Sequence, residues 1–152
     1  MKLEQYLSEE NIHLDLNCAD KSAFFHEALE TQRKQGYVTE TQRVQDDLEM
    51  RETIMSTGVG QGVAIPHALS EAVTEIHLSL WRLKKPLDFD AVDGRGVDLI
   101  FMILGPKQDS SDHVKILAGI SRMLHGEDFR GRVRAAGSRA EVMELLHHHH
   151  DS

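Results

Sequence analysis

The chain has 152 residues and a formal net charge of −8, with 40% hydrophobic and 28% charged residues, the size and balance of one soluble globular domain rather than a disordered segment. The acidic balance excludes a broad nucleic-acid surface, which needs clustered Lys and Arg, and the longest apolar run, Leu99–Leu104, is six residues against the roughly 18 of a membrane span. A single cysteine, Cys18, excludes an intramolecular disulfide and a cysteine-based zinc cage and fits a reducing, cytoplasmic compartment, and the polar start Met1-Lys2-Leu3-Glu4-Gln5 is no signal peptide.

Ile12, Leu14 and Leu16 alternate with His13 and Asp15, which predicts a short half-buried strand. Asp20 is placed to cap a helix that carries Phe24, Phe25, Ala28 and Leu29 and stops at Gly36. Thr39 and Gln42 have capping-box spacing, and the helix that follows (Val44, Leu48) is expected to end at about Met50, leaving Arg51 just ahead of a glycine-rich loop. That loop, Ser56-Thr57-Gly58-Val59-Gly60-Gln61-Gly62, has three glycines in five positions and leads into the strand-like Val63-Ala64-Ile65. Ile76, Leu78 and Leu80 alternate with His77, Ser79 and Trp81, a second strand. Asp93-Gly94-Arg95-Gly96 reads as a turn. Val97 to Leu104 is almost wholly apolar, as expected of a strand covered on both faces by helices, and Gly105-Pro106 stops it. Asp109, Ser110 and Ser111 are candidate caps for a helix with Val114, Leu117, Ile120 and Leu124 at helical spacing. Ser138 and Glu141 open a terminal helix carrying Val142, Leu145 and Leu146. With no linker and no internal repeat, strands interleaved with helices predict a single α/β layer domain over residues 1–146. Residues 147–152, four histidines followed by Asp-Ser, read as an appended tail or a frayed helix end outside the functional reading.

The chemistry concentrates in Gly58-Val59-Gly60-Gln61-Gly62-Val63-Ala64-Ile65-Pro66-His67. Glycines allow positive φ and let successive N–H groups converge on an anion. Pro66 removes a ladder donor, ends the strand and fixes how His67 is presented. A rigidly held neutral imidazole beside an anion-cradling loop is what a phosphoryl acceptor needs, because the ring attacks phosphorus while nearby donors take up the charge. From the residues alone two bland readings stay open: the glycines as an ordinary turn, and His67 as a structural histidine. The loop lacks the Gly-Lys-Ser/Thr ending of a P-loop and precedes a strand rather than a helix, so neither that motif nor a dinucleotide fingerprint fits. His13, His26, His77 and His125 have no accompanying motif and read as surface or packing residues.

Arg51-Glu52, Ser56-Thr57-Gly58 and Gly62-Val63-Ala64-Ile65-Pro66-His67 together resemble the active-site signature of the enzyme IIA domains of the bacterial phosphotransferase system (PTS), in the fructose, mannitol and nitrogen-regulatory class. The resemblance continues through Pro86-Leu87-Asp88-Phe89-Asp90-Ala91-Val92-Asp93-Gly94 and Val97-Asp98-Leu99-Ile100-Phe101 to His113. It implies a mixed β-sheet flanked by helices, a phosphorylated histidine at His67, a second active-site histidine at His113, an arginine beside the site at Arg51, and a phosphate-pocket loop of Ser56, Thr57, Gly58 and Gly62. Gln61 stands where many relatives have Asn, Met55 where many have Gly, and Leu69 where a basic residue is common, which bears on the partner-facing edge. The implied partners are a phosphocarrier resembling HPr as donor and a IIB domain or a regulatory target downstream. The donor is already an activated phosphoramidate, so no cofactor or metal is implied. The function that follows is a phosphoryl carrier, nitrogen-regulatory in the first reading and a soluble sugar-transport component in the second. A docking module without turnover and a metal site on His67 and His113 are the other classes weighed, the latter poor for want of a third ligand.

Overall fold

The computed structural model describes residues 3–150; Met1 and Lys2 of the N-terminal reading and Asp151 and Ser152 of the tail lie outside the described residues. Among these, the alternating and helical segments become β1 (Ile12–Leu16), α1 (Lys21–Gln35), α2 (Thr41–Ile54), β2 (Gly58–Gly60), β3 (Val63–Ala64), β4 (His67–Leu69), β5 (His77–Leu87), β6 (Val97–Gly105), α3 (Ser110–Leu124), α4 (Glu127–Ala135) and α5 (Arg139–His150), with short 3₁₀ turns at Leu3–Gln5, Glu9–Asn11 and Lys107–Asp109. One mixed sheet of six strands runs in the order β1-β5-β6-β3-β2, and β4 pairs with β6 beyond β3. β5 and β6 are antiparallel, whereas β1 on β5 and both β3 and β4 on β6 are parallel.

The continuous apolar run of β6 is explained by two cores, one on each face of the sheet. Leu99, Phe101 and Ile103 pack toward α3, α4 and α5 with Ile116, Ile120, Val133 and Val142. Ile100, Met102 and Leu104 pack toward α1 and α2 with Phe24, Phe25, Ala28, Val44 and Leu48. β5 is covered on both faces too. Buried Ser79 on β5 is matched in place: Gln32 Nε2 and Trp81 Nε1 both donate to its Oγ, at 3.0 and 2.8 Å, which avoids the cost of leaving that hydroxyl unpaired.

Local signals decide several boundaries. Asp20 accepts from the Ala23 N–H at 2.8 Å, and Gly36 closes α1 at φ +90°. The expected Thr39–Gln42 capping box does not form. Thr39 donates its hydroxyl and its N–H to the Ala72 carbonyl instead, Gln42 donates to Asp46, and the helix starts at Thr41. It also runs past Met50 to Ile54, so Arg51 lies in its last turn rather than after it. On α3 the buried face is His113, Ile116, Ile120, Met123 and Leu124, and Val114 is exposed; the expected stripe is one residue out of phase at its start, and Asp109 makes no side-chain cap. At α5, Ser138 Oγ accepts from the Glu141 N–H, while Glu141 reaches back one residue further, to the Gly137 N–H. α5 continues through His147–His150. Sequence patterning passed over α4 and β4 altogether.

Candidate active site

Pro66 interrupts the edge of the sheet between β3 and β4, and His67 is the first residue after the break, paired with Ile103. The Pro66 carbonyl still accepts from the Ile103 N–H at 3.0 Å, so the interruption is held in register. His67 is half-buried. Its Nδ1 lies 2.9 Å from the Ile65 carbonyl. A carbonyl only accepts, so Nδ1 carries a proton, and in the neutral form of the ring the lone pair is on Nε2.

His113, in the first turn of α3, brings its ring centroid within 5.5 Å of that of His67, at an interplanar angle of 56°. Burial, then the neighbouring His67 and Arg51, hold His113 down to about 4, so the ring is neutral at ordinary pH. Its Nδ1 is buried and finds no hydrogen-bond partner. Arg51 is exposed, lines the same cleft as His67 and pairs with no carboxylate among the described residues. The cleft, about 430 Å³, is lined by Arg51, Ser56, Thr57 and His67 together with apolar Ile54, Met55, Val59, Ile65 and Leu117. Ile54 and Met55 are 80% and 76% exposed, which is unusual for large apolar side chains on a highly charged helix end.

The loop is tied down by its own polar groups. Ser56 Oγ donates to the Phe89 carbonyl and accepts from the Gly58 N–H. Thr57 donates both its N–H and its hydroxyl to Glu52. Gly58 is a close approach, since a Cβ there would come within 2.8 Å of Ala91 Cβ. Gly62, at φ +78°, faces Arg134 and Asp98 at the hairpin corner and is not among the residues lining the cleft. Of the residues singled out from sequence, Arg51, Ser56, Thr57, His67 and His113 are thus brought together, and Gly58 and Gly62 shape the hairpin beside them. The apolar rim went unrecognised, although Met50 and Ile54 one turn apart on a polar helix were a visible signal. Among the described residues no group of three or more His, Cys, Asp or Glu is placed to hold a metal ion, and no helix is long and apolar enough to cross a membrane.

The sequence model of the family described as "Phosphoenolpyruvate-dependent sugar phosphotransferase system, EIIA 2" matches residues 5–149. The chain belongs to this family. Relatives of this EIIA domain include proteins named as fructose-specific PTS components, as nitrogen regulatory proteins and as multiphosphoryl transfer proteins. The PTS system fructose-specific EIIABC component of Bacillus subtilis is 28% identical over 149 residues, which is 98% of this chain and 24% of the relative, so the chain spans about a quarter of that protein. A nitrogen regulatory protein of Klebsiella oxytoca is 31% identical over 147 residues, 96% of this chain and 90% of the relative. Among solved structures, the nitrogen regulatory protein IIA-Ntr of Neisseria meningitidis superposes with a TM-score of 0.86 at 31% identity, over 93% of this chain and 97% of that one. The mixed sheet with helices on both faces is therefore the EIIA architecture, and the chain is a component of the phosphotransferase class.

Proposed function

We propose that this EIIA domain carries a phosphoryl group on Nε2 of His67. The observation that carries the reading is the Nδ1–Ile65 carbonyl bond, which leaves Nε2 as the nucleophile in a cleft shared with Arg51, with the His113 ring centroid 5.5 Å from that of His67. In the transfer, the Nε2 lone pair forms the new N–P bond as the N–P bond of a donor phosphohistidine breaks, and the departing donor nitrogen recovers the electron pair. The proton stays on Nδ1 throughout, donated to the Ile65 carbonyl. The phosphoryl group brings roughly two negative charges, which the unpaired Arg51 guanidinium meets with its fork of donors and the α3 N-terminus favours. The donor is a phosphocarrier resembling HPr, and the apolar rim of Ile54, Met55 and Val59 is where it docks and excludes water. We assign the reaction to the cytoplasm.

The nitrogen-regulatory role is the leading one, supported by relatives so named that match over nearly their whole length. A role in fructose- or mannitol-type transport, passing phosphate to a IIB domain, is the second reading, supported by the fructose-specific relative. Incubation with a phosphorylated phosphocarrier tests the proposal: acid-labile, base-stable label is expected on the chain and absent from His67→Ala, with His147–His150 removed from both. Wild-type stoichiometry on His67→Ala overturns the assignment.

A further inference from the structure

Glu52 lies one residue beyond Arg51 on α2, yet it turns inward, with a side chain only 6% exposed. A carboxylate in the last turn of a helix opposes the helix dipole and is costly to bury. Its partners offset that cost. Lys21, from the start of α1, donates to Oε1 at 3.0 Å. The Thr57 N–H donates to the same oxygen at 3.2 Å, and the Thr57 hydroxyl to Oε2 at 2.5 Å. Lys21 also donates to the Phe89 carbonyl at 3.3 Å and sits 4.7 Å over the Phe89 ring, and that carbonyl accepts from Ser56 as well. One ammonium group therefore ties the last turn of α2 to the Phe89 segment that holds Ser56.

The bonds continue toward the histidine. The Thr57 carbonyl accepts from the Ile65 N–H at 3.0 Å, and the Ile65 carbonyl accepts from His67 Nδ1 at 2.9 Å. Ile65 is thus held at its N–H by Thr57 and at its carbonyl by His67, and the proline after it confines it to extended backbone. An imidazole's tautomer is set by the bond its other nitrogen makes. From this chain of contacts we infer that Glu52, charge-balanced by Lys21, is a positioning residue for His67: it fixes Thr57, and through Thr57 the Ile65 carbonyl that keeps the proton on Nδ1 and the lone pair on Nε2. Glu52 touches no reacting atom. Its effect on transfer rests on the carrier reading above, whereas its effect on the tautomer does not.

The test reads both. Long-range 1H–15N spectra of the unphosphorylated, 15N-labelled chain report which nitrogen of His67 is protonated. The wild type is expected to be protonated at Nδ1. Glu52→Gln keeps one acceptor but meets Lys21 and the second Thr57 donor with an amide, and Thr57→Val deletes the hydroxyl at nearly constant volume. Both are expected to shift population toward the Nε2-protonated form that free imidazole prefers, and to lower the transfer kcat about 10- to 100-fold, as small misplacements of reacting groups do, with KM for the phosphocarrier little changed because the docking rim is intact. Thr57→Ser restores the hydroxyl and should return both readouts to near wild type. Unchanged His67 tautomer populations in a folded Glu52→Gln or Thr57→Val chain overturn the inference. Should the wild type take no label at all, the carrier reading falls while the tautomer comparison still decides the role of Glu52.

Discussion

His113 sits where negative charge arrives in the proposed reaction, and burial keeps it neutral, held down to about 4. In that proposed reaction its part is that of a fixed hydrogen-bond donor and not of an acid, and its Nδ1 has no carboxylate partner among the described residues. The His113 ring is expected to stay neutral as pH falls from 8 to about 5; 15N shifts of that ring in the unphosphorylated chain check this, and protonation of His113 near pH 6.5 would contradict it. Replacing it with Ala leaves the acceptor in place but removes a preorganised donor, at about 3 kcal/mol or 10²–10³ in rate. An unchanged rate with a marked loss of stability would make His113 a packing residue only. Arg51 separates charge from geometry. If its guanidinium grips the phosphoryl oxygens as a fork, Arg51→Lys should fall close to Arg51→Ala. Were it only part of a general attractive field, Lys would rescue most of the rate and the remainder would fade with salt. Transfer rates of both variants at low and high salt distinguish the two.

At the scale of elements, the β2–β3 hairpin is the strained piece next to the cleft. Gly60, Gln61 and Gly62 all take positive φ, +99°, +59° and +78°, and Gln61 is the one with a side chain to disfavour it. The corner is clasped from outside by Asp93, which accepts from the Gln61 N–H at 2.9 Å, and by Arg134, which donates to the Gln61 carbonyl. Asn tolerates the left-handed region better than Gln, so Gln61→Asn is expected to raise stability by about 0.5–1 kcal/mol, read as a higher urea midpoint at constant m-value, with transfer unaffected. A lower midpoint would show that the Gln61–Arg95 contact (3.4 Å) outweighs the backbone strain. Elements of this kind also mark what the sequence conceals. α1 and β6 were legible because cap, glycine stop and apolar run act locally. α4 is short and rich in charge, with little but Phe129 and Val133 buried to announce it. β4 is three residues behind a proline. Thr39 has the spacing of a cap, yet a tertiary carbonyl at Ala72 takes its hydroxyl. The site itself divides the same way: His67, Arg51 and His113 were readable from motif, whereas the pairing of Glu52 with Lys21 joins residues 31 apart in sequence and appears only once α1 and α2 pack.

At the scale of the whole molecule, three histidines among the described residues are kept neutral by the fold. His13 is held to about 4 by burial and by Arg139, His77 to about 4 by burial against the opposing pull of the Glu75 carbonyl, and His113 to about 4 as above. His13 stacks on Trp81 and His77 on Tyr37, so of the two readings open in sequence, surface or packing, these two take the packing one. Their folded values lie below the 6.5 of an unfolded histidine, so between the two the unfolded chain binds more protons. Stability from these groups is therefore fully present above about pH 6.5 and is lost as pH falls toward 4. Urea midpoints at successive pH values should decline steeply through that window, and His77→Phe should remove about one proton from the slope. A slope indifferent to that substitution would mean that His77 protonates freely in the folded chain.

The central claim is that Nε2 of His67 carries the phosphoryl group, and imidazole NMR of the phosphorylated, 15N-labelled chain tests it most directly. After incubation with a phosphorylated phosphocarrier, 15N–31P coupling is expected at Nε2 of His67, with Nδ1 of the same ring still protonated and bonded to Ile65. Phosphorus on Nδ1 of His67, or on any other histidine while His67 stays unmodified, would contradict the account.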